Sequence, residues 1–158
     1  MARPVTLVKA GIYAMLRAFS PVITFKTSDL AMSMDFKHLG KPMNQPSKEL
    51  DTFPAPPHVS LVTFTSDELT SFCPVTGQPD FNTVTIEYQP DQLCVESKSL
   101  KLYLWTFRDE QIFGEGLAST IAQDLGKALR PKYCKVTLQQ SIRGGLQLTA
   151  VAEIRAED

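Results

Sequence analysis

Residues 72–108 read FCPVTGQPDFNTVTIEYQPDQLCVESKSLKLYLWTFR, and the two ends of this stretch follow different periodicities. From Asn82 to Tyr88 apolar and polar residues alternate, with Val84, Ile86 and Tyr88 on one side, which predicts a strand buried on one face. Pro90 and Asp91 make a turn, and Leu93 to Val95 reads as a short further strand. From Ser97 to Phe107 the apolar residues recur instead at Leu100, Leu104 and Phe107, the i, i+4, i+7 spacing of one helical face.

Downstream, Gly114 and Gly116 open a second helix whose stripe is Leu117, Ile121, Leu125 and Leu129, stopped by Pro131. Val136–Ile142 and Leu146–Ile154 then read as two closing strands joined around Arg143-Gly144-Gly145, a hairpin signal. Upstream, Val59–Thr65 (VSLVTFT) is β-branched and alternating, as a strand should be, and a turn-rich stretch holding Cys73, Pro74, Gly77 and Pro79 follows it, with Asp80 within reach of the loop as it folds back. The arm from Lys41 to Pro57 carries Pro42, Pro46, Pro54, Pro56 and Pro57, which predicts little regular structure. Strand, strand, two helices, strand, strand defines an α+β domain with an antiparallel sheet, spanning residues 35–158. No internal repeat or low-complexity segment is visible.

Residues 1–34 read differently. Val5, Val8, Ile12, Met15, Leu16 and Phe19 recur at helical spacing, and acidic residues are absent until Asp29. An N-terminal extension, helical or disordered, is the expectation; an organelle-targeting presequence is the alternative. Lys9 interrupts the apolar run and argues against a secretory signal, and Met32 and Met34 are alternative starts.

Bulk composition narrows the function. The chain has 158 residues, 43% hydrophobic and 21% charged, enough for one domain with a core. A net charge of -1 gives no broad attraction to nucleic acid, so direct nucleic-acid binding is not expected, and any phosphate must meet a local cluster of cations. Three cysteines without a CxxC pair, and two histidines, argue against a disulfide framework and against a metal site. They fit a reducing cytoplasm. No apolar run approaches the roughly 18 residues of a membrane span.

Cys73 lies among loop formers, where a thiol is accessible and reactive, although most such cysteines are small buried hydrophobes. Cys94 and Cys134, in strand-like runs, are expected to be of that inert kind. Asp80 cannot lower the pKa of a nearby thiol, because like charges oppose ionisation, so it suits proton transfer instead. Ser97 can cap the first helix and leave N–H groups for a phosphate, with Lys98 and Lys101 projecting together at i, i+3; the plain alternative is a solvated helix face. Arg143 either adds a guanidinium to that site or is an ordinary turn residue. Glu115, at a helix start, is favoured by the dipole and could equally accept two N–H bonds from an amidine edge.

CPVTGQPDF at 73–81 together with ESKSLKLYLWTFR at 96–108 resembles the NADPH-dependent 7-cyano-7-deazaguanine reductases, the nitrile reductases of queuosine biosynthesis. The likeness covers residues 35–155 and includes LGKP at 39–42, DTFPAP at 51–56 and RGG at 143–145. It implies the tunnelling fold, an antiparallel sheet with two helices whose subunits close into a barrel, and hence a homo-oligomer, a pentamer or decamer. By the same resemblance Cys73 forms a thioimide with the nitrile and Asp80 handles protons. Val95, Glu96, Ser97, Gly114 and Glu115 would meet the deazaguanine. Lys98, Ser99, Lys101, Arg143 and Gly144 would meet NADPH. Where the family usually carries Phe-His-Glu, this chain reads Phe113-Gly114-Glu115, which implies ready thioimide formation and slow reduction. Two rivals are an amidine-forming relative that adds ammonia to the thioimide, and a non-catalytic deazapurine-binding module. Retention of ESKSLK argues against the first, intact Cys73 and Asp80 against the second.

Overall fold

The alternating stretch around Val84 is the centre of the sheet. The computed structural model describes residues 36–42 and 45–156; the expectation for residues 1–34 lies outside them. The elements in order are β1 (Thr52–Pro54), β2 (Val62–Phe72), β3 (Pro79–Gln89), β4 (Leu93–Val95), α1 (Ser97–Trp105), α2 (Gly114–Leu129), β5 (Tyr133–Gln140) and β6 (Thr149–Arg155). A four-stranded sheet runs β2-β3-β5-β6, antiparallel throughout, and β1 pairs with β4 in a separate ribbon. This is the α+β arrangement expected, with an antiparallel sheet and two helices.

One face of the sheet is the core. Val84, Ile86 and Tyr88 of β3 and Cys134, Val136 and Leu138 of β5 are buried, while Thr83, Thr85, Glu87 and Lys135 lie between them on the other face. The stripe Leu117, Ile121, Leu125 and Leu129 of α2 is fully covered against that face. Truncating one of these leucines to alanine removes both transfer energy and packing, about 2–5 kcal/mol. The hydroxyl of Tyr103 on α1 donates to Asp124 Oδ2 of α2 at 2.9 Å, and its ring meets Phe107 edge-on at 5.3 Å. α2 ends as Arg130 turns into the left-handed region (φ 46) and donates its N–H to Gly126 O, with Pro131 preventing continuation.

Several boundaries differ from the sequence reading. The arm contains β1, whose register sets Thr52 opposite Val95. β2 runs to Phe72 instead of stopping at Thr65, because the break in alternation at Ser66-Asp67-Glu68 is absorbed by a register shift between Ser66 and Leu69. α1 stops at Trp105, and Thr106–Asp109 tighten into a 3-10 turn. β5 begins earlier and β6 later than expected: Ile142 and Leu146 are exposed, and Arg143 and Leu146 pair across a tight turn in which Gly144 and Gly145 take φ of 58 and 80.

Candidate active site

Cys73 follows directly on β2, and its position is fixed by backbone. Its N–H donates to Gln78 O and its carbonyl accepts from Gly77 N–H, both at 2.9 Å. One residue back, Phe72 N–H donates to Glu110 O and Phe72 O accepts from Ile112 N–H, which ties the connection between the helices to the foot of the loop. Although Cys73 is only 6% exposed, its thiol is drawn down from the ordinary 9.0 to about 7. The hydroxyl of Thr76 is the main cause, followed by the backbone N–H groups of Thr76 and Val75, with burial opposing and the Arg143 guanidinium assisting. Cys134 shows the contrast, pushed up to about 11 by burial, and Cys94 is equally enclosed.

Asp80 lies in β3, opposite Ser71. The strand begins at Pro79, since the β2–β3 pairing continues to Phe72–Pro79. Asp80 is 4% exposed, and Oδ1 is 2.5 Å from Nη1 of Arg143. Arg143 comes from the β5–β6 hairpin, whose base is tied beside Asp80 by Ser141 N–H donating to Phe81 O. Its guanidinium is engaged by Asp80, and the side chain is 41% exposed. Gly144, next to it, is exposed at the hairpin tip.

The start of α1 also departs from expectation. Glu96, not Ser97, caps the helix: Lys98 N–H donates to Oε1 and Ser99 N–H to Oε2, each at 2.8 Å. Glu96 has the extended backbone a cap requires (φ -79, ψ 132), and its carboxylate is long enough to span two orphan N–H groups. Those groups are thus taken, and the Ser97 hydroxyl donates back to Glu96 Oε1. Ser99 is fully buried, with its hydroxyl donating to Glu96 O and accepting from Asp51 N–H. Val95 is buried too, its N–H donating to Tyr88 OH. Lys98 and Lys101 do not project together. Lys98 Nζ donates to the carbonyls of His38 and Lys41 and so pins the arm, while Lys101 is exposed.

Lys101 faces a cleft of ≈ 570 Å³ between α1 and β2, shared with Ser97, Trp105 and Arg108 on one side and Asp67 and Glu68 of the β2 bulge on the other. The Arg108 guanidinium stacks 4.8 Å over the half-exposed Trp105 ring. Sequence reasoning missed Trp105, Arg108 and Thr76. The i, i+3 spacing of the first two and the threonine three residues past Cys73 were the available signals.

Gly114, the first residue of α2, is buried, and a Cβ there would lie 2.6 Å from Leu148 Cδ2 and 3.4 Å from Leu138 Cδ2. The position is filled by a neighbour and is not a vacancy. Glu115 is exposed in the first turn and lines a shallow hollow with Pro74, Gln111, Ile112 and Phe113, beside the Cys73 loop. The fold thus assembles Cys73, Asp80 and Arg143 in one place with Glu115 close by through Pro74. The Glu96–Ser99 segment and the Lys101 cleft form other parts of the surface, and no hydrogen bond joins them to Cys73, Asp80 or Arg143 among the described residues.

Comparison with known proteins defines the class first. The apo crystal structure of the archaeosine synthase QueF-Like matches with a TM-score of 0.57 at 29% identity, over 63% of this chain and 94% of that one. The fold is that of the tunnelling-fold unit. Residues 79–158 match the family described as QueF-like protein. A protein of Alkalilimnicola ehrlichii called NADPH-dependent 7-cyano-7-deazaguanine reductase is 50% identical over 113 residues, 70% of this chain and 88% of its own length. Proteins with that same name from Nitrosospira multiformis and Syntrophus aciditrophicus are 46% and 47% identical, covering 82% and 81% of their lengths. This chain belongs to the QueF-like protein family.

Proposed function

We propose that this protein is an oxidoreductase that reduces the nitrile of 7-cyano-7-deazaguanine to the aminomethyl group with NADPH, through a thioimide on Cys73, in the queuosine pathway. The observation that carries the reading is the Cys73 thiol, drawn to about 7 and one guanidinium away from Asp80. The sulfur bonds to the nitrile carbon, one π bond of the nitrile opens, and the thiol proton ends on the nitrogen, with Asp80 as its carrier. NADPH, when bound, supplies the two hydrides that, with two protons, take a nitrile to a primary amine. Glu115 is the residue placed to accept N–H bonds from the deazaguanine's amidine edge; Val95, Glu96 and Ser97 act through the backbone they fix at the start of α1.

The cleft beside α1 fits the cofactor. Its volume is in the range of small-molecule sites, Lys101 and Arg108 suit phosphates, and the Trp105 ring offers a face for stacking. Asp67 and Glu68 across it suit hydroxyl groups. The working form is a cytoplasmic homo-oligomer, a pentamer or decamer. Three free cysteines favour the compartment, and the open edges of β2 and β6 favour the assembly. No helix among the described residues is long and apolar enough to cross a membrane.

A second reading has one observation in its favour, the likeness to the archaeosine synthase. In it ammonia, not hydride, attacks the thioimide and leaves an amidine. Intact-mass spectrometry of the protein mixed with 7-cyano-7-deazaguanine, then with NADPH or ammonium, separates the two. The expected result is a covalent adduct that disappears with NADPH consumption and aminomethyl product. An adduct that persists in Cys73→Ala protein would sink the assignment, and amidine formation without hydride transfer would select the second reading.

A further inference from the structure

The far end of α1 carries a column of side chains that the chemistry of Cys73 and Asp80 does not use. Lys101 and Trp105 are i, i+4 neighbours on the helix, and both line the cleft. The 3-10 turn Thr106–Asp109 then brings Arg108 into line with Trp105, because side chains three apart eclipse in that tighter geometry. The result is a stack, with the guanidinium carbon 4.8 Å from the centre of the indole ring. Stacking occupies the flat face of a guanidinium and leaves its edge for hydrogen bonds. On that edge Nε donates to Asp109 Oδ2 at 3.1 Å, and neither Nη group has a partner among the described residues. Such a free fork matches the oxygens of a phosphate. Lys101 forms no ion pair among the described residues either, although Asp67 and Glu68 stand on the opposite wall of the cleft. Both cations are uncommitted, but their neighbours differ: Arg108 lies against an aromatic ring, Lys101 a turn back toward the start of α1.

We propose that Arg108 makes the cofactor site specific for NADPH over NADH: its fork, held in place by Trp105, takes the 2′-phosphate of the adenosine, and Lys101 takes the pyrophosphate that both cofactors share. The proposal rests on the reading of this cleft as the cofactor site. In NADPH the 2′-phosphate is carried on the same ribose as the adenine, so the cation that recognises it has to stand beside a surface on which a purine can stack. Arg108 meets that condition through Trp105, whose ring is 37% exposed. The indole also holds the guanidinium in one orientation, so less side-chain freedom is lost when the phosphate arrives. A lysine alone offers charge without that fork, which suits an anion common to both cofactors better than one that has to be told apart.

The test is equilibrium titration of the whole protein, without turnover. NADPH and NADH are followed by calorimetry. Adenosine 2′,5′-bisphosphate and adenosine 5′-monophosphate are followed by the emission of Trp105, the single tryptophan of the chain. These two nucleotides lack the nicotinamide, which would quench an indole at a distance, so a change in emission reports an occupant beside the ring. Wild type is expected to bind NADPH and the bisphosphate about ten- to a hundredfold more tightly than their counterparts without the 2′-phosphate, the worth of one charge-assisted contact. Arg108→Gln is expected to erase that preference while NADH and the monophosphate stay within about twofold. Lys101→Ala is expected to weaken all four by a common factor. Should Arg108→Gln fail to fold, Arg108→Met, whose stem still covers the indole, carries the same expectation. A preference for NADPH that survives loss of the Arg108 charge would overturn the proposal, as would equal weakening of NADPH and NADH. The reading of the cleft fails in a different way. If wild type binds NADPH while the bisphosphate leaves Trp105 emission unmoved, the cofactor lies elsewhere and the proposal falls with the cleft.

Discussion

Cys73 owes its reactivity to donors that converge on one sulfur, and Thr76 contributes the largest share. The folded thiol lies below its ordinary 9.0, at about 7. At neutral pH about half the molecules therefore carry thiolate, and the fraction falls as pH drops. The stability linked to this shift is present in full above 9.0 and is lost as pH falls through about 7. Iodoacetamide labelling, read at the Cys73 peptide, is expected to rise with pH around a midpoint near that value. Thr76→Val removes the hydroxyl and should carry the midpoint upward toward 9.0; an unmoved midpoint would place the cause elsewhere. Gly114 is a second residue whose surroundings decide an outcome. A methyl group there meets the end of the Leu148 side chain at 2.6 Å, a contact that a flexible leucine can yield. Alanine also gains up to about 1 kcal/mol of helix propensity, so Gly114→Ala should leave stability within about 1 kcal/mol. In a Leu148→Ala background the crowding is gone, and the same change should stabilise the protein, as calorimetry would register. A histidine at 114 needs that space as well, so Gly114→His is best tested in the Leu148→Ala background.

At the scale of elements, α1 carries opposite duties on its two sides. Its N-terminus is closed by Glu96, so Glu96→Ala should cost about 1–2 kcal/mol and lower the melting temperature. Lys98 ties down the arm and Lys101 looks into the cleft. Lys98→Ala should accelerate trypsin cleavage after Lys37 with little effect on melting of the sheet. Lys101→Ala should weaken NADPH about ten- to a hundredfold, the worth of one charge-assisted phosphate contact, and leave proteolysis unchanged. Equal cleavage rates in Lys98→Ala and wild type would undo this division of labour. What could be read beforehand follows the same line. β3, α1 and α2 were legible because one buried face prints its period directly on the chain, as Val84-Ile86-Tyr88 and Leu117-Ile121-Leu125-Leu129 do. β1 was not, because Thr52-Phe53-Pro54 has no period of its own and becomes a strand only by meeting Leu93–Val95. The far half of β2 was hidden by its bulge. Within the site, Cys73 and Asp80 were legible as a pair, whereas the long-range partners of Lys98, Ser99 and Arg143 lie 48 to 63 residues away and leave no local trace.

For the whole molecule, the sheet ends in two edges, the 11 residues of β2, bridged on the outer side at Phe72 by Gln111, and the 7 of β6, with no further strand on either among the described residues. Long open edges invite strand pairing, and pairing β6 of one copy with β2 of the next repeats without using up its ends until a ring closes. Light scattering is expected to give a particle several times 17.5 kDa. A 17.5 kDa species at micromolar concentration would contradict the assembly. The arm adds a matter of timing. His38 must wait for Lys98, 60 residues later in the chain, and at a synthesis rate of about 5–20 residues per second the wait is about 3–12 s. Asp51 already accepts the N–H groups of Lys37 and His38, contacts internal to the arm that need nothing still unsynthesised. A nascent chain can therefore fold the arm onto itself first and receive α1 as it leaves the ribosome.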